Sequence, residues 1–224
     1  MIESGDGSGP RVLERRKTPR GELVLRQAGS HFEVISNGVF LMDSRETGSE
    51  RALAEQALAG VRPGARVLVG GFGLGYTLRA VLDHAHTASA VVAEIEPALV
   101  RWGRSTLAHV SDGALNDSRV CVEEGDVRDV LAAADAEFDA ILLDVDNGPS
   151  WTVHDANAQI YAATGLEQAR RALTPGGVLA VWAAQAEPDF ARSLGEHFGD
   201  VREVRVPVER DGRSFDYFIY LAAP

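Results

Sequence analysis

Apolar residues change their spacing twice along this chain. Between residues 22 and 42 they fall into short β-type runs, 22–27, 31–36 and 39–42. Such runs suit strands that bury one face. Gly29-Ser30 and Asn37-Gly38 separate these runs, and Asn-Gly between apolar runs predicts a tight hairpin because both residues tolerate positive φ. Residues 49–60 read as a helix, with Ser49 as a cap and Gly60 as its stop. From residue 65 near-continuous apolar runs at 66–70, 88–95, 119–123, 138–145 and 177–182 alternate with helical stretches near 76–85, 97–108, 127–134 and 164–173. Strands apolar on both faces, alternating with helices, imply a parallel sheet covered on both sides, with right-handed crossovers. After a helix near 187–198 the pattern ends in two strands, 201–208 and 214–222, joined around Asp211-Gly212. This hairpin adds an antiparallel last strand to the sheet.

The pattern divides the chain into a flexible lead-in over 1–20, rich in Gly, Ser, Pro and charge, a small β region over 21–48 and an α/β domain over 49–224. A chain of 224 residues suffices for one such core. The 33 acidic and 22 basic residues leave a net charge of −11, which argues against a nucleic-acid surface and an anionic membrane surface. No apolar run is long enough to span a bilayer, and the first ten residues lack the basic and apolar regions of a secretory signal, so the expected location is the cytoplasm. The single cysteine, Cys121, lies in an apolar strand pattern and is expected to be a buried, inert thiol. No Cys/His cluster points to a metal.

Chemistry concentrates at the strand ends. The run Val67-Leu68-Val69-Gly70-Gly71-Phe72-Gly73-Leu74-Gly75 carries a buried strand into glycines and then into a helix. Glycine permits a tight turn and lets a ligand approach without a Cβ in the way, while the helix start presents free N–H groups. Glu94 ends the second parallel strand, 19 residues after Gly75, where a carboxylate can accept both ribose hydroxyls. Asp126 and Val127 follow the third strand; Asp126 can reach the exocyclic amine of an adenine, and it fits a helix N-cap equally well. Asp144 ends the fourth strand, with Asp146 two residues on. Tyr76 stands where the dinucleotide pattern G-x-G-x-x-G needs its third glycine, and no Gly-Lys-Ser/Thr follows, so a nucleoside without phosphates fits the loop better than NAD or a nucleotide triphosphate.

A parallel sheet with this glycine turn and an antiparallel last strand resembles the Rossmann-like class I S-adenosylmethionine-dependent methyltransferase fold, with seven strands expected. Within it, residues from about 35 onward resemble the spermidine synthase family of polyamine aminopropyltransferases. The stretch 67–79 is similar to that family's strand, Gly-Gly-Gly-Asp-Gly-Gly loop and Leu-Arg helix start. Val91-Val92-Ala93-Glu94-Ile95-Glu96 resembles its ribose-binding segment, Gly125-Asp126 its Gly-Asp pair at the adenine, and Asp144-Val145-Asp146-Asn147-Gly148-Pro149 its Asp-Ser-Ser-Asp-Pro segment. The resemblance implies that Gly71, Phe72, Gly73, Gly75, Glu94, Asp126 and Val127 bind S-adenosylmethionine or its decarboxylated form. It further implies that Asp144, helped by Asp146, takes the proton of the attacking amine, and that the protein is a homodimer. Two positions depart from the family: Leu74 replaces the loop aspartate that holds the aminopropyl ammonium, and Glu50-Arg51 replaces a Tyr-Gln pair.

Alkyl transfer from a sulfonium needs alignment of donor and nucleophile, plus a base for the acceptor's proton. The acceptor is expected to be a small amine or hydroxyl compound. Trp151, His154 and Tyr161 lie in the segment after Asp144 and are the expected substrate contacts, with inert packing as the alternative for His154 and Tyr161. Two other readings stand beside aminopropyl transfer: a small-molecule methyltransferase, and a nucleoside-binding protein of the same fold without catalysis.

Overall fold

A computed structural model of the chain describes residues 9–45, 47–152, 155–210 and 212–224. The chain forms two compact units that part between Glu46 and Thr47. The first is an antiparallel meander of β1 (Arg11–Thr18), β2 (Gly21–Ala28), β3 (His31–Ser36) and β4 (Val39–Asp43), in that order. Asn37 and Gly38 turn with φ of 51° and 79°, as the Asn-Gly pair predicts. Residues 11–18 do not form part of a flexible lead-in. They are a strand in register with β2, from Arg11 opposite Gln27 to Thr18 opposite Gly21. The charges that mask β1 in the sequence suit an edge strand, whose one free edge and exposed residues need no apolar pattern.

The second unit holds seven strands in the order β10-β11-β9-β8-β5-β6-β7. These are β5 (Ala65–Gly70), β6 (Thr87–Glu94), β7 (Val120–Glu124), β8 (Phe138–Leu143), β9 (Leu173–Ala183), β10 (Asp200–Arg210) and β11 (Arg213–Ala223). Strands β5 to β9 are parallel, and β11 inserts antiparallel between β9 and β10. The helices are α1 (Gly48–Leu58), α2 (Tyr76–Asp83), α3 (Pro97–Arg104), α4 (Val127–Ala133), α5 (Ala158–Tyr161), α6 (Ala163–Ala172) and α7 (Pro188–Phe198). Helix α1 starts one residue before Ser49. Thr47 takes the N-cap position, and Ser49 is buried with its hydroxyl on Glu50.

Helix α6 packs against α4 on one side and α7 on the other, and α1 packs against α2. Leu68, Ile141, Leu143, Leu179 and Val181 of the sheet meet Leu131, Leu166, Leu194 and Phe198 in one core cluster, where each large apolar side chain contributes about 1.5–3 kcal/mol. Cys121 is exposed, contrary to the sequence pattern. Strand β7 is the sheet's edge, so one of its sides and much of its length lie open, and alternation alone cannot tell an edge strand from a central one. Among the described residues no helix is long and apolar enough to cross a membrane.

Candidate active site

The sheet order reverses at β5, which has β6 on one side and β8 on the other. Ligands of open α/β sheets bind outside the carboxyl ends of the strands at such a switch point. The loop 71–75 leaves β5 there, with Glu94 at the end of β6 on one flank and Asp144 just after β8 on the other. Backbone bonds fix both flanks: Gly71 N–H donates to the Ala93 carbonyl at 2.9 Å, and Asp144 N–H to the Gly70 carbonyl at 2.9 Å.

Two glycines are required by geometry. Gly71 has φ of +84°, and a Cβ there would lie 2.4 Å from the Asp144 carbonyl oxygen. Gly75, with φ of +88°, caps α2, and a Cβ would strike the Phe72 ring at 2.6 Å. Phe72 and Leu74 are buried, 3% and 5% exposed, so the loop's large side chains belong to the core rather than to its open surface.

Glu94 is itself buried, and its two oxygens shape the loop. Oε2 accepts from the Phe72 amide at 2.8 Å and Oε1 from the Glu96 amide at 2.8 Å. Burial pushes its carboxyl above the usual range, opposed by the amides of Glu96, Phe72 and Gly73. Three amides thus converge on its two oxygens, and of a carboxylate's four lone pairs one is left over.

Asp126 is the N-cap of α4, accepting from the Arg128 amide at 2.9 Å, and it also holds the Arg128 guanidinium at 3.0 and 2.6 Å. The helix-cap reading of this residue is therefore realised. Val127 is buried against Gly70.

Asp144 is partly buried, and burial raises its carboxyl above the usual value while a hydrogen bond from Thr77 opposes the rise. Thr77 Oγ1 donates to Asp144 Oδ2 at 2.6 Å. Asp146 sits at φ of +59° and accepts from Asn157 Nδ2 at 2.7 Å. Tyr161 is buried, donates to the Val145 carbonyl at 2.9 Å and stacks edge-on with Phe190. Burial, then the charges of Asp146, Asp144 and Glu187, push its hydroxyl well above the usual range. Trp151 is 57% exposed on the loop after Asp146, and His154 lies outside the described residues.

Three further residues join this edge. Glu187, buried at the start of α7, accepts from Ser150 Oγ at 2.5 Å, and Gln185 Nε2 donates to the same hydroxyl at 3.1 Å. The Glu187 amide donates to the Tyr220 hydroxyl at 2.6 Å. Gly148 packs on Ala183, and the Ala184 amide donates to the Asn147 carbonyl at 2.9 Å, so the loop 146–151 is fastened to the end of β9. Sequence reasoning missed Thr77 and Glu187. Their signals are a hydroxyl in the first turn after the glycines and an acid just before Pro188 at a helix start. The described residues include no cluster of three or more potential metal ligands.

A glycine turn at the switch point, an acid on each flank and a lone antiparallel strand near the sheet's far edge define the Rossmann-like class I S-adenosylmethionine fold. Solved structures agree on the fold. A spermidine synthase in complex with the transition-state analogue AdoDATO superposes with a TM-score of 0.79 over 95% of this chain and 73% of that one, at 18% identity. The spermidine synthase from Thermotoga maritima gives 0.74, at 18% identity over 95% and 72%.

The chain belongs to the spermine/spermidine synthase family, whose domain matches residues 46–193. Among curated relatives, polyamine aminopropyltransferase 2 of Pseudomonas aeruginosa is 30% identical over 88% of this chain and 58% of its own length. The polyamine aminopropyltransferase of Mycobacterium tuberculosis strain H37Rv is 30% identical over 77% of this chain and 32% of its own length. These relatives are transferases, and this chain spans 58% and 32% of their lengths.

Proposed function

We propose that this protein is an alkyl transferase that moves an aminopropyl group from decarboxylated S-adenosylmethionine to a small aliphatic amine. The observation that carries the reading is the placement of Asp144. Its backbone carbonyl abuts Gly71, and its carboxylate is held at the rim of the same loop by Thr77. A base therefore stands beside the surface that would receive the nucleoside.

The donor's sulfonium supplies an already activated carbon. The loop backbone at Gly71, Gly73 and Gly75 receives the nucleoside. Glu94 offers its remaining lone pair to the ribose hydroxyls, and Asp126 is proposed to face the adenine amine. Asp144 takes one proton from the acceptor's ammonium, so that nitrogen can attack the carbon next to sulfur. The N–C bond forms as the C–S bond breaks, the electron pair stays on sulfur, and a neutral thioether leaves. Asp146, Glu187 and Asp144 give this edge a negative field that suits a cationic acceptor.

The same field distinguishes the donors. Intact S-adenosylmethionine would bring a carboxylate towards these acids, whereas the decarboxylated form brings only an ammonium. Leu74, turned into the core, supplies no acid to that ammonium, which removes one ground for preferring the decarboxylated donor and leaves methyl transfer from intact S-adenosylmethionine as a second reading.

Calorimetric titration with both donors, coupled to detection of methylthioadenosine after addition of putrescine, separates the readings. Aminopropyl transfer requires tighter binding of the decarboxylated donor and release of methylthioadenosine. Preference for the intact donor supports methylation, and failure to bind any adenosine compound refutes both. Asp144→Asn should lower turnover about 10²–10⁴-fold while leaving donor affinity within a few-fold; equal losses in both would remove Asp144 as the base.

A further inference from the structure

Thr77 occupies the second position of α2, two residues past Gly75, and is 2% exposed. At such a position a threonine hydroxyl often serves its own helix. Here it donates across the loop to Asp144, 67 residues away in sequence, at 2.6 Å. The bond links the element that carries the glycine turn to the strand end that carries the acid. Asp144 also receives a backbone tie at its amide, from which it donates to Gly70, so main chain and side chain are both fixed against the β5–α2 unit.

We propose that Thr77 is a positioning residue for Asp144. It occupies Oδ2 and leaves Oδ1 as the oxygen that takes the acceptor's proton. This inference rests on the reading of Asp144 as the base. A hydroxyl has one proton to give, and giving it to the carboxylate defines which oxygen stays basic and in which rotamer it is presented. The bond also stabilises the ionised form, opposing the rise that burial imposes on the carboxyl.

The test uses Thr77→Val, which keeps the side-chain shape without the hydroxyl, and Thr77→Ser, which keeps the hydroxyl. The first readout is carboxyl-detected NMR titration of Asp144 in the full-length protein, which needs no turnover. The second is the pH profile of methylthioadenosine release from decarboxylated S-adenosylmethionine with putrescine. The expected result is that Asp144 titrates at higher pH in Thr77→Val than in the wild type. The acid limb of the rate profile should move up with it, with at least a tenfold rate loss at low pH, and Thr77→Ser should restore both. Identical Asp144 titration in wild type and Thr77→Val overturns the inference. A titration that moves while Asp144→Asn keeps the wild-type rate and acid limb also overturns it, and places the failure in the reading of Asp144 as base and not in the hydrogen bond. A Thr77→Val loss that Thr77→Ser does not rescue, with the titration unmoved, marks a packing role and overturns it as well.

Discussion

Replacing Gly71 by alanine separates the two physical demands that meet at this position. Gly71 and Gly64 have nearly the same positive φ, +84° and +90°. An added Cβ at Gly64 meets nothing within 4 Å, whereas at Gly71 it would lie 2.4 Å from the Asp144 carbonyl oxygen and 3.2 Å from the Val145 side chain. Gly64→Ala therefore carries only the left-handed backbone penalty, about 1–2 kcal/mol. Gly71→Ala adds an overpacking term of about 1–3 kcal/mol, because the atom it strikes is backbone and cannot rotate away. For a domain of this size each kcal/mol lowers Tm by about 2–4 °C, so Gly64→Ala should melt about 2–8 °C below wild type and Gly71→Ala about 4–20 °C below. Thermal melts followed by circular dichroism measure the difference. Titration of an adenosine ligand adds the functional half: affinity should fall in Gly71→Ala, whose relaxation pushes Asp144 off the loop, and hold in Gly64→Ala. If the two variants melt within about 1 °C of each other, the close approach of loop and strand end has no energetic weight and the geometry argued for this site is wrong.

Other substitutions test single links. Glu94→Ala strands the Phe72 and Glu96 amides and should destabilise the fold by about 2–4 kcal/mol in urea titrations, besides weakening nucleoside binding at least tenfold. Asp126→Asn keeps an equally good N-cap, so Tm should stay within about 3 °C while adenosine affinity falls several-fold; unchanged affinity would leave Asp126 as a cap alone. Tyr161→Phe removes the bond to the Val145 carbonyl and should lower stability by about 1 kcal/mol without shifting the rate profile's pH limbs. Burial raises the Asp144 carboxyl above its ordinary 3.8, so the folded state holds that proton more tightly than the unfolded chain. Its contribution to stability is then complete below 3.8 and lost as pH rises through the raised value, and Asp144→Asn should flatten that decline when urea midpoints are compared across pH.

Several features were legible because they depend on local chemistry alone. The apolar runs over 65–95 could only be buried strands alternating with a helix, and the glycines between them could only be a tight turn. The positions of Glu94, Asp126 and Asp144 after successive strands then put these acids on one edge, since a parallel sheet brings all its carboxyl ends to one side. The Asn37-Gly38 turn was readable for the same local reason. Residues 11–18 were not, because an edge strand with both faces accessible has no period to detect. Cys121 was misplaced because burial depends on a strand's rank in the sheet, which sequence order does not contain.

What the chain alone determined is its alternation of strands and helices and the chemistry at each strand end. Tertiary structure decided which of those groups meet. Thr77 and Asp144 touch only because β5 and β8 lie side by side, Glu187 reaches Ser150 only because α7 begins where the loop 146–151 returns to β9, and Tyr161 is a buried donor only because α5 folds under Val145. Local patterns are set within a turn or two of backbone. Contacts between residues tens of positions apart are set by strand order and register, and these are settled by packing the whole core.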